Sequence, residues 1–139
     1  MNERANKEYW NERVLDSKND RDLVFNSVDF NRFDTETRKI LSIYKDAKVL
    51  DFGCGYGRMS DMFTNYTGID FSEEMIKLAK KKYHNKTFIV GDRVEGEYDL
   101  AFEVMCLSSL GMTAQEFADT CSSPVVMCFE PKEFTIIFK

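Results

Sequence analysis

Residues 49 to 58 read Val-Leu-Asp-Phe-Gly-Cys-Gly-Tyr-Gly-Arg, and no other segment constrains the fold as strongly. An apolar run reaches Asp51 and opens into Gly53, Gly55 and Gly57 at alternate positions. Glycine has no Cβ and adopts φ > 0 at little cost, so it stands where backbone must pass close to a ligand. A second apolar run, Tyr66-Thr67-Gly68-Ile69, ends in Asp70. Two strands, a glycine loop between them and an acid closing the second strand are the sequence form of a nucleoside-binding site.

The rest of the chain supplies alternating strands and helices. A helix is expected over residues 5–15, then a mixed Asn- and Asp-rich stretch over 16–31, then a helix capped by Asp34 or Thr35 and running to Lys45. Strands are expected at Val49–Phe52, Tyr66–Asp70, Thr87–Val90, Tyr98–Met105 and Val125–Phe129, with a short helix over Arg58–Thr64. Ser72 is a suitable N-cap, Glu73 and Glu74 fit the positive end of a helix, and the lysines lie toward its other end. Thr113-x-x-Glu116 reads as a capping box opening a helix to Cys121. This alternation implies β-α-β units and a parallel sheet covered on both faces. The connection from Pro131 to Glu133 is too short for a parallel crossover, so the last strand, Glu133–Phe138, should run antiparallel to its neighbour.

The chain has 139 residues, 43% of them hydrophobic, which suits one domain around one core. No apolar run is long enough to span a bilayer, and the N-terminus carries no signal-peptide pattern. The four cysteines form no C-x-x-C pair and His84 is the sole histidine, so no metal is expected and a thiol-reduced, cytoplasmic setting is. Net charge is −5, and the whole acidic excess lies in residues 93–139, with three basic against eight acidic residues. Nucleic acid wants a basic face, so it is an improbable partner. The cluster Lys77, Lys80, Lys81, Lys82 and Lys86 reads as the solvated face of an amphipathic helix.

Asp51-x-Gly53-x-Gly55-x-Gly57, then Gly68-Ile69-Asp70, then Ser72-Glu73-Glu74-Met75, resembles the class I S-adenosylmethionine (SAM)-dependent methyltransferases. The resemblance runs from Val49 to Pro131 and is strongest up to Asp92. It implies an α/β, Rossmann-like, doubly wound and mostly parallel sheet with an antiparallel last strand, shortened at its C-terminal end. It also implies a cofactor, SAM, with S-adenosylhomocysteine as product. Gly53, Gly55 and Gly57 would let backbone approach the methionine and ribose portions. Asp70 would accept both ribose hydroxyls. Asp92 would stand near the adenine amine, Arg93 would offer its backbone N–H to the ring, and Phe71 and Met75 would pack against it. Asp51 would orient the loop or meet the ligand's ammonium through water.

A nicotinamide dinucleotide is the competing cofactor, but its G-x-G-x-x-G spacing differs from the G-x-G-x-G found here. A P-loop is excluded because no Gly-Lys-Ser/Thr follows the glycines. On the acceptor side, Ser108-Ser109 stands where many small-molecule members carry a histidine, leaving Glu103 as the one candidate catalytic acid near the end of the fourth strand. Glu103 could equally be a structural acid. SAM carries an activated sulfonium, so an acceptor that is already nucleophilic needs alignment more than a base.

The family's usual core has a further helix and strand before its last strand. The expected organisation is therefore one domain, 1–139, with a helical lid over 1–46 and an α/β core over 47–139. Tyr9, Trp10, Phe25, Phe30 and Phe33 are candidate lid residues, and Arg32 or Arg38 could meet a carboxylate on the acceptor. The first reading is a methyltransferase acting on a small molecule. Alternatives are a SAM lyase or hydrolase, or a non-catalytic SAM-binding module working with a protein partner. An apolar last strand, Phe134-Thr135-Ile136-Ile137-Phe138, suggests a homodimer.

Overall fold

A computed structural model describes residues 6–16 and 28–139, with the backbone alone for Val28 and Asp29. Six strands, β1 (Lys48–Phe52), β2 (Asn65–Asp70), β3 (Thr87–Val90), β4 (Leu100–Val104), β5 (Val125–Glu130) and β6 (Glu133–Phe138), form one sheet in the order β3-β2-β1-β4-β5-β6. All neighbours are parallel except β5 and β6, which pair antiparallel with Val125 opposite Phe138 and Glu130 opposite Glu133. The two residues joining that pair, Pro131 and Lys132, could turn only a hairpin, as the shortness of the connection implied.

Helices α1 (Lys7–Asp16), α2 (Val28–Leu41), α3 (Glu73–Lys82), α4 (Leu107–Leu110) and α5 (Ala114–Thr120) surround the sheet. Successive strand residues point to opposite faces. Val49, Leu100 and Met127 pack with Leu41, Phe63, Ile76 and Ala79 on one face. Leu50, Ala101 and Val126 pack with Leu107, Phe117 and Ala118 on the other. Central strands buried on both faces explain their unbroken apolar runs. Phe63, Phe102 and Phe117 are wholly enclosed, and burying each contributes about 2–3 kcal/mol.

Ser72 caps α3 by accepting from Met75 N at 3.2 Å, and Thr113 with Glu116 closes a complete capping box on α5. Other boundaries move. Asp34 and Thr35 lie inside α2 and do not cap it: Thr35 Oγ1 donates to Asn31 O, and Asp34 binds Arg38 and Arg58. The stretch expected as a helix over Arg58–Thr64 holds only a single 3-10 turn, Ser60–Met62, because Phe63 is already extended toward β2. β4 is shorter than expected; Asp99 leaves the strand to exchange bonds with Lys48, whose N donates to Asp99 Oδ2 at 2.9 Å. The short α4 was not foreseen. Phe25 lies outside the described residues.

Candidate functional site

The strand order reverses between β1 and β4, and at such a switch point an open α/β sheet leaves a crevice at the carboxyl ends of its strands. A cavity of about 450 Å³ opens there, within the range of small-ligand sites. Its floor is Gly53, Cys54, Gly55, Tyr56, Asp70 and Phe71, and its roof is Tyr9, Trp10 and Arg13 of α1. Met105, Cys106, Ser109, Leu110 and Met112 form the far wall.

The glycine loop is built by backbone geometry. Gly53, Gly55 and Gly57 all have positive φ, at 73°, 57° and 83°. The N–H groups of Gly53 and Cys54 both donate to Ile69 O, at 2.8 and 3.0 Å, which folds the loop back over the end of β2. A Cβ on Gly53 would lie 2.6 Å from Cys106 Sγ. Gly57 differs from the other two. It does not line the cavity, and a Cβ there would lie 2.6 Å from the Phe88 ring. Its lack of a side chain serves packing beneath the loop.

Asp70 is 8% exposed and faces the cavity. Gly55 N donates to its Oδ2 and Ser72 N to its Oδ1, both at 2.9 Å. Burial raises the carboxyl's pKa, while backbone donors from Ser72, Gly55 and Phe71 work against that rise. A carboxylate offers about four acceptor sites, so each oxygen keeps capacity for a ligand hydroxyl. Asp51 sits deeper and does not reach the cavity surface. Its carboxyl takes a 2.6 Å hydrogen bond from the Tyr66 phenol, and burial pushes it up to about 7 against that bond and the nearby Arg58 charge.

Arg58 follows the loop and lines the cavity. It pairs with Asp34 of α2 and lies over the Phe30 ring at 5.3 Å. Arg38 donates to Asp34 Oδ2 at 2.9 Å and to Arg58 O at 3.3 Å. Burial opposes the charge on Asp34, but the two guanidiniums hold its carboxyl below the ordinary range. α2 is thereby tied to the glycine loop through charge.

Of the residues singled out in the sequence, the fold brings Gly53, Gly55, Asp70, Phe71, Met75, Asp92, Tyr9 and Trp10 to one cavity. Arg93 is exposed with its side chain beside Asp92 at 3.7 Å, and Arg32 is exposed on α2; neither lines the cavity. Glu103, the candidate catalytic acid, does not line the cavity. It is wholly buried, and its Oε2 accepts from Cys106 N at 2.9 Å and Leu107 N at 3.4 Å. The cavity residues that sequence reading missed, Tyr56, Arg58, Met105, Cys106 and Met112 among them, carry no motif. The Gly-x-Gly spacing placed Tyr56 in the loop, and that was the only available signal.

A parallel sheet with an antiparallel last strand, a glycine loop after β1 and an acid after β2 define a nucleoside-binding α/β protein. Residues 49–130 match the model of the family described as "Methyltransferase domain", and the chain belongs to that family. A Mycobacterium tuberculosis protein named "Putative methyltransferase Rv1506c" is 34% identical over 70 residues, covering 44% of this chain and 42% of that one. "Putative methyltransferase 235L" of Invertebrate iridescent virus 6 is 32% identical over 77 residues, covering 48% of this chain and 29% of that one. The chain thus spans less than half the length of these curated relatives. Among solved structures, magnesium protoporphyrin IX methyltransferase from Synechocystis PCC 6803, with bound SAM, is similar at a TM-score of 0.65 and 20% identity, over 93% of this chain and 76% of that one. Haemonchus contortus phosphoethanolamine N-methyltransferase 1, in complex with phosphoethanolamine and S-adenosylhomocysteine, gives a TM-score of 0.63 at 19% identity, over 88% of this chain and 30% of that one. At these identities the likeness is one of fold.

Proposed function

We propose that the chain binds SAM in the cavity over Gly53 and Gly55 and transfers its methyl group to a small-molecule acceptor. The observation that carries this reading is the setting of Asp70. Its two oxygens are aimed by Gly55 N and Ser72 N while its cavity side stays open to a pair of adjacent hydroxyls. In this reading Gly53 and Gly55 take the methionine portion, Phe71 and Met75 the adenine face, and Asp92 with the Arg93 N–H the adenine edge. Asp51 and Gly57 shape the loop from beneath. S-Adenosylhomocysteine leaves as product.

The roof and far wall are rich in aromatic and thioether groups, from Tyr9, Trp10, Met105 and Met112, and suit an acceptor with an apolar body. Of the segment expected as a lid, residues 1–46, it is α1 that covers the cavity and acts as the lid. With Glu103 enclosed, the chain's part in the chemistry is to align the nucleophile with the sulfonium and exclude water. Calorimetric titration with SAM and with S-adenosylhomocysteine tests the reading, with Asp70→Ala alongside. Micromolar binding of both, weakened at least tenfold in the variant, is the expected result. Binding of neither overturns it. SAM cleaved without any acceptor would favour a lyase instead.

The outermost strand supports a second copy as partner. Phe134, Ile136 and Phe138 of β6 are 43%, 39% and 74% exposed on a free sheet edge. Light scattering of the wild type and Ile136→Lys decides between dimer and monomer. No helix among the described residues is long and apolar enough to cross a membrane. Four free thiols support a reducing, cytoplasmic setting.

A further inference from the structure

We infer that Glu103 and Glu130 are positioning residues: they share one proton and together hold the wall of the cavity formed by residues 105–110. The inference rests on the cavity being the ligand site proposed above. Glu103 lies on β4 and Glu130 at the end of β5, and both carboxyls point at the start of α4. Glu103 Oε2 accepts from Cys106 N and Leu107 N, and Glu130 Oε1 accepts from Ser108 N at 2.8 Å. Three consecutive N–H groups at the head of α4, which α4 itself leaves unsatisfied, therefore bind the acid pair.

The other oxygen of each carboxyl decides the protonation. Glu103 Oε1 and Glu130 Oε2 are buried, and neither meets a hydrogen-bond donor among the described residues. Glu103 stands opposite Cys128 in the β4–β5 register, so Glu130, two residues on, projects from the same face of the sheet, and the two carboxyls act on one another directly. Two ionised carboxylates placed so would repel, whereas one proton between them gives each orphan oxygen a partner. Burial first, then the charge of Glu130 and its hydrogen bond, push Glu103 up to about 9, against the backbone donors of Cys106 and Leu107. The neighbouring titratable groups are the thiols of Cys106 and of Cys128 on β5, both raised by burial and by these same acids. Among the described residues no lysine or arginine acts on Glu103, and Lys132 in the following turn and Glu133 at the start of β6 are exposed.

What the pair holds is a strained piece of chain. Met105 has φ 59°, an uncommon conformation for a side-chain-bearing residue, and its N–H is anchored to Phe129 O at 2.8 Å. Met105, Cys106, Ser109 and Leu110 all face the cavity. Loss of the shared proton drives the carboxyls apart, so they cannot both keep their bonds to α4. The group's native pKa is raised, so its contribution is fully present below the unfolded value and is lost as pH rises through about 9.

Hydrogen exchange of the ligand-free protein tests this, with protection at residues 105–112 followed from pH 7 to pH 10 and corrected for intrinsic rates. Wild-type protection should fall about tenfold. In Glu130→Gln the amide replaces the shared proton permanently, so protection should hold within about threefold. Affinity for S-adenosylhomocysteine, measured over the same range, should follow each protein's protection. Glu103→Gln is the second variant and should behave as Glu130→Gln does. Constant wild-type protection, or an equal fall in both Gln variants, overturns the proposal. Absence of S-adenosylhomocysteine binding at every pH overturns the cofactor reading; the expected protection pattern would still uphold the carboxyl pair as the holder of the wall.

Discussion

The phenol of Tyr66 on β2 donates a 2.6 Å hydrogen bond to Asp51 Oδ2 on β1, beneath the glycine loop. Both groups are buried, and the Tyr66 hydroxyl is itself pushed well above its ordinary range by burial and then by the Asp51 charge. The bond joins the two strands whose ends carry the site.

Tyr66→Phe removes the donor and leaves a buried carboxyl, which should cost about 1–3 kcal/mol. The cost has a pH signature. Asp51 is raised to about 7 in the native protein, so its contribution is present below the unfolded value and is lost as pH rises through 7. Without the Tyr66 bond the carboxyl rises further, and the ionised form is penalised more. Urea denaturation should show a larger difference between variant and wild type at pH 8 than at pH 6. An equal difference at both would mean that Asp51 does not titrate in that range.

The glycines of the loop separate by the same physics. Gly57→Ala combines φ 83° with a Cβ 2.6 Å from the Phe88 ring, so strain and overpacking together should cost about 2–5 kcal/mol. Gly55→Ala has φ 57° and nothing closer than Met75 Sδ at 3.9 Å, so stability should fall by only about 1–2 kcal/mol. Its methyl stands at the cavity floor, so SAM affinity should fall more than stability does. Thermal melts and calorimetry on the two variants should rank them in opposite orders.

This division shows what the sequence could and could not convey. Alternate glycines announced a loop, but Gly55 on the cavity floor and Gly57 against Phe88 look alike in one dimension, because the ring that distinguishes them arrives from β3. The strands themselves and the antiparallel last pair were legible, since apolar runs and a very short last connection leave few alternatives. The Asp51-x-Gly run and Asp70 located the floor of the cavity. Its far wall was not legible: α4 is a single turn capped by Glu103 and Glu130, which come from different strands and follow no local capping pattern. Asp34 was misread as a cap for the same reason, its partner Arg58 being distant in sequence.

Asp34→Asn should unfasten α2 from the loop. The native carboxyl lies below its usual range, so its contribution is present above the unfolded value and disappears as pH falls through the native one. The variant should lose about 1–3 kcal/mol at pH 7 and differ little from wild type near pH 2. Arg58 loses its anchor beside the cavity, so SAM affinity should weaken as well. A difference in stability that persists undiminished into acid would show that packing, and not charge, joins α2 to the loop.

The roof of the cavity offers a direct reporter. Trp10 is the chain's one tryptophan, and it lies on α1 facing the site. α1 buries no residue fully and is fastened by polar contacts at the head of α3. Asn11 Oδ1 accepts from Ser72 Oγ at 2.5 Å and Glu74 N at 3.1 Å, while its Nδ2 donates to Glu73 at 3.0 Å. Lys7 joins Glu73 at 3.2 Å. The Asn11 bond, then the backbone and Lys7, pull the Glu73 carboxyl down to about 2. Ser72 lies two residues beyond Asp70, so the fastening of α1 and the aim of the Asp70 carboxylate share one turn of chain. Each neutral hydrogen bond contributes about 0.5–1.5 kcal/mol, or roughly two- to twelvefold in an equilibrium. Asn11→Ala should therefore speed release of S-adenosylhomocysteine by about tenfold, read as the recovery of Trp10 fluorescence in stopped flow. The rate of binding should change far less, because entry requires the open lid in both proteins. An unchanged release rate with an altered melting temperature would reduce α1 to a structural cover and remove it from the path of the ligand.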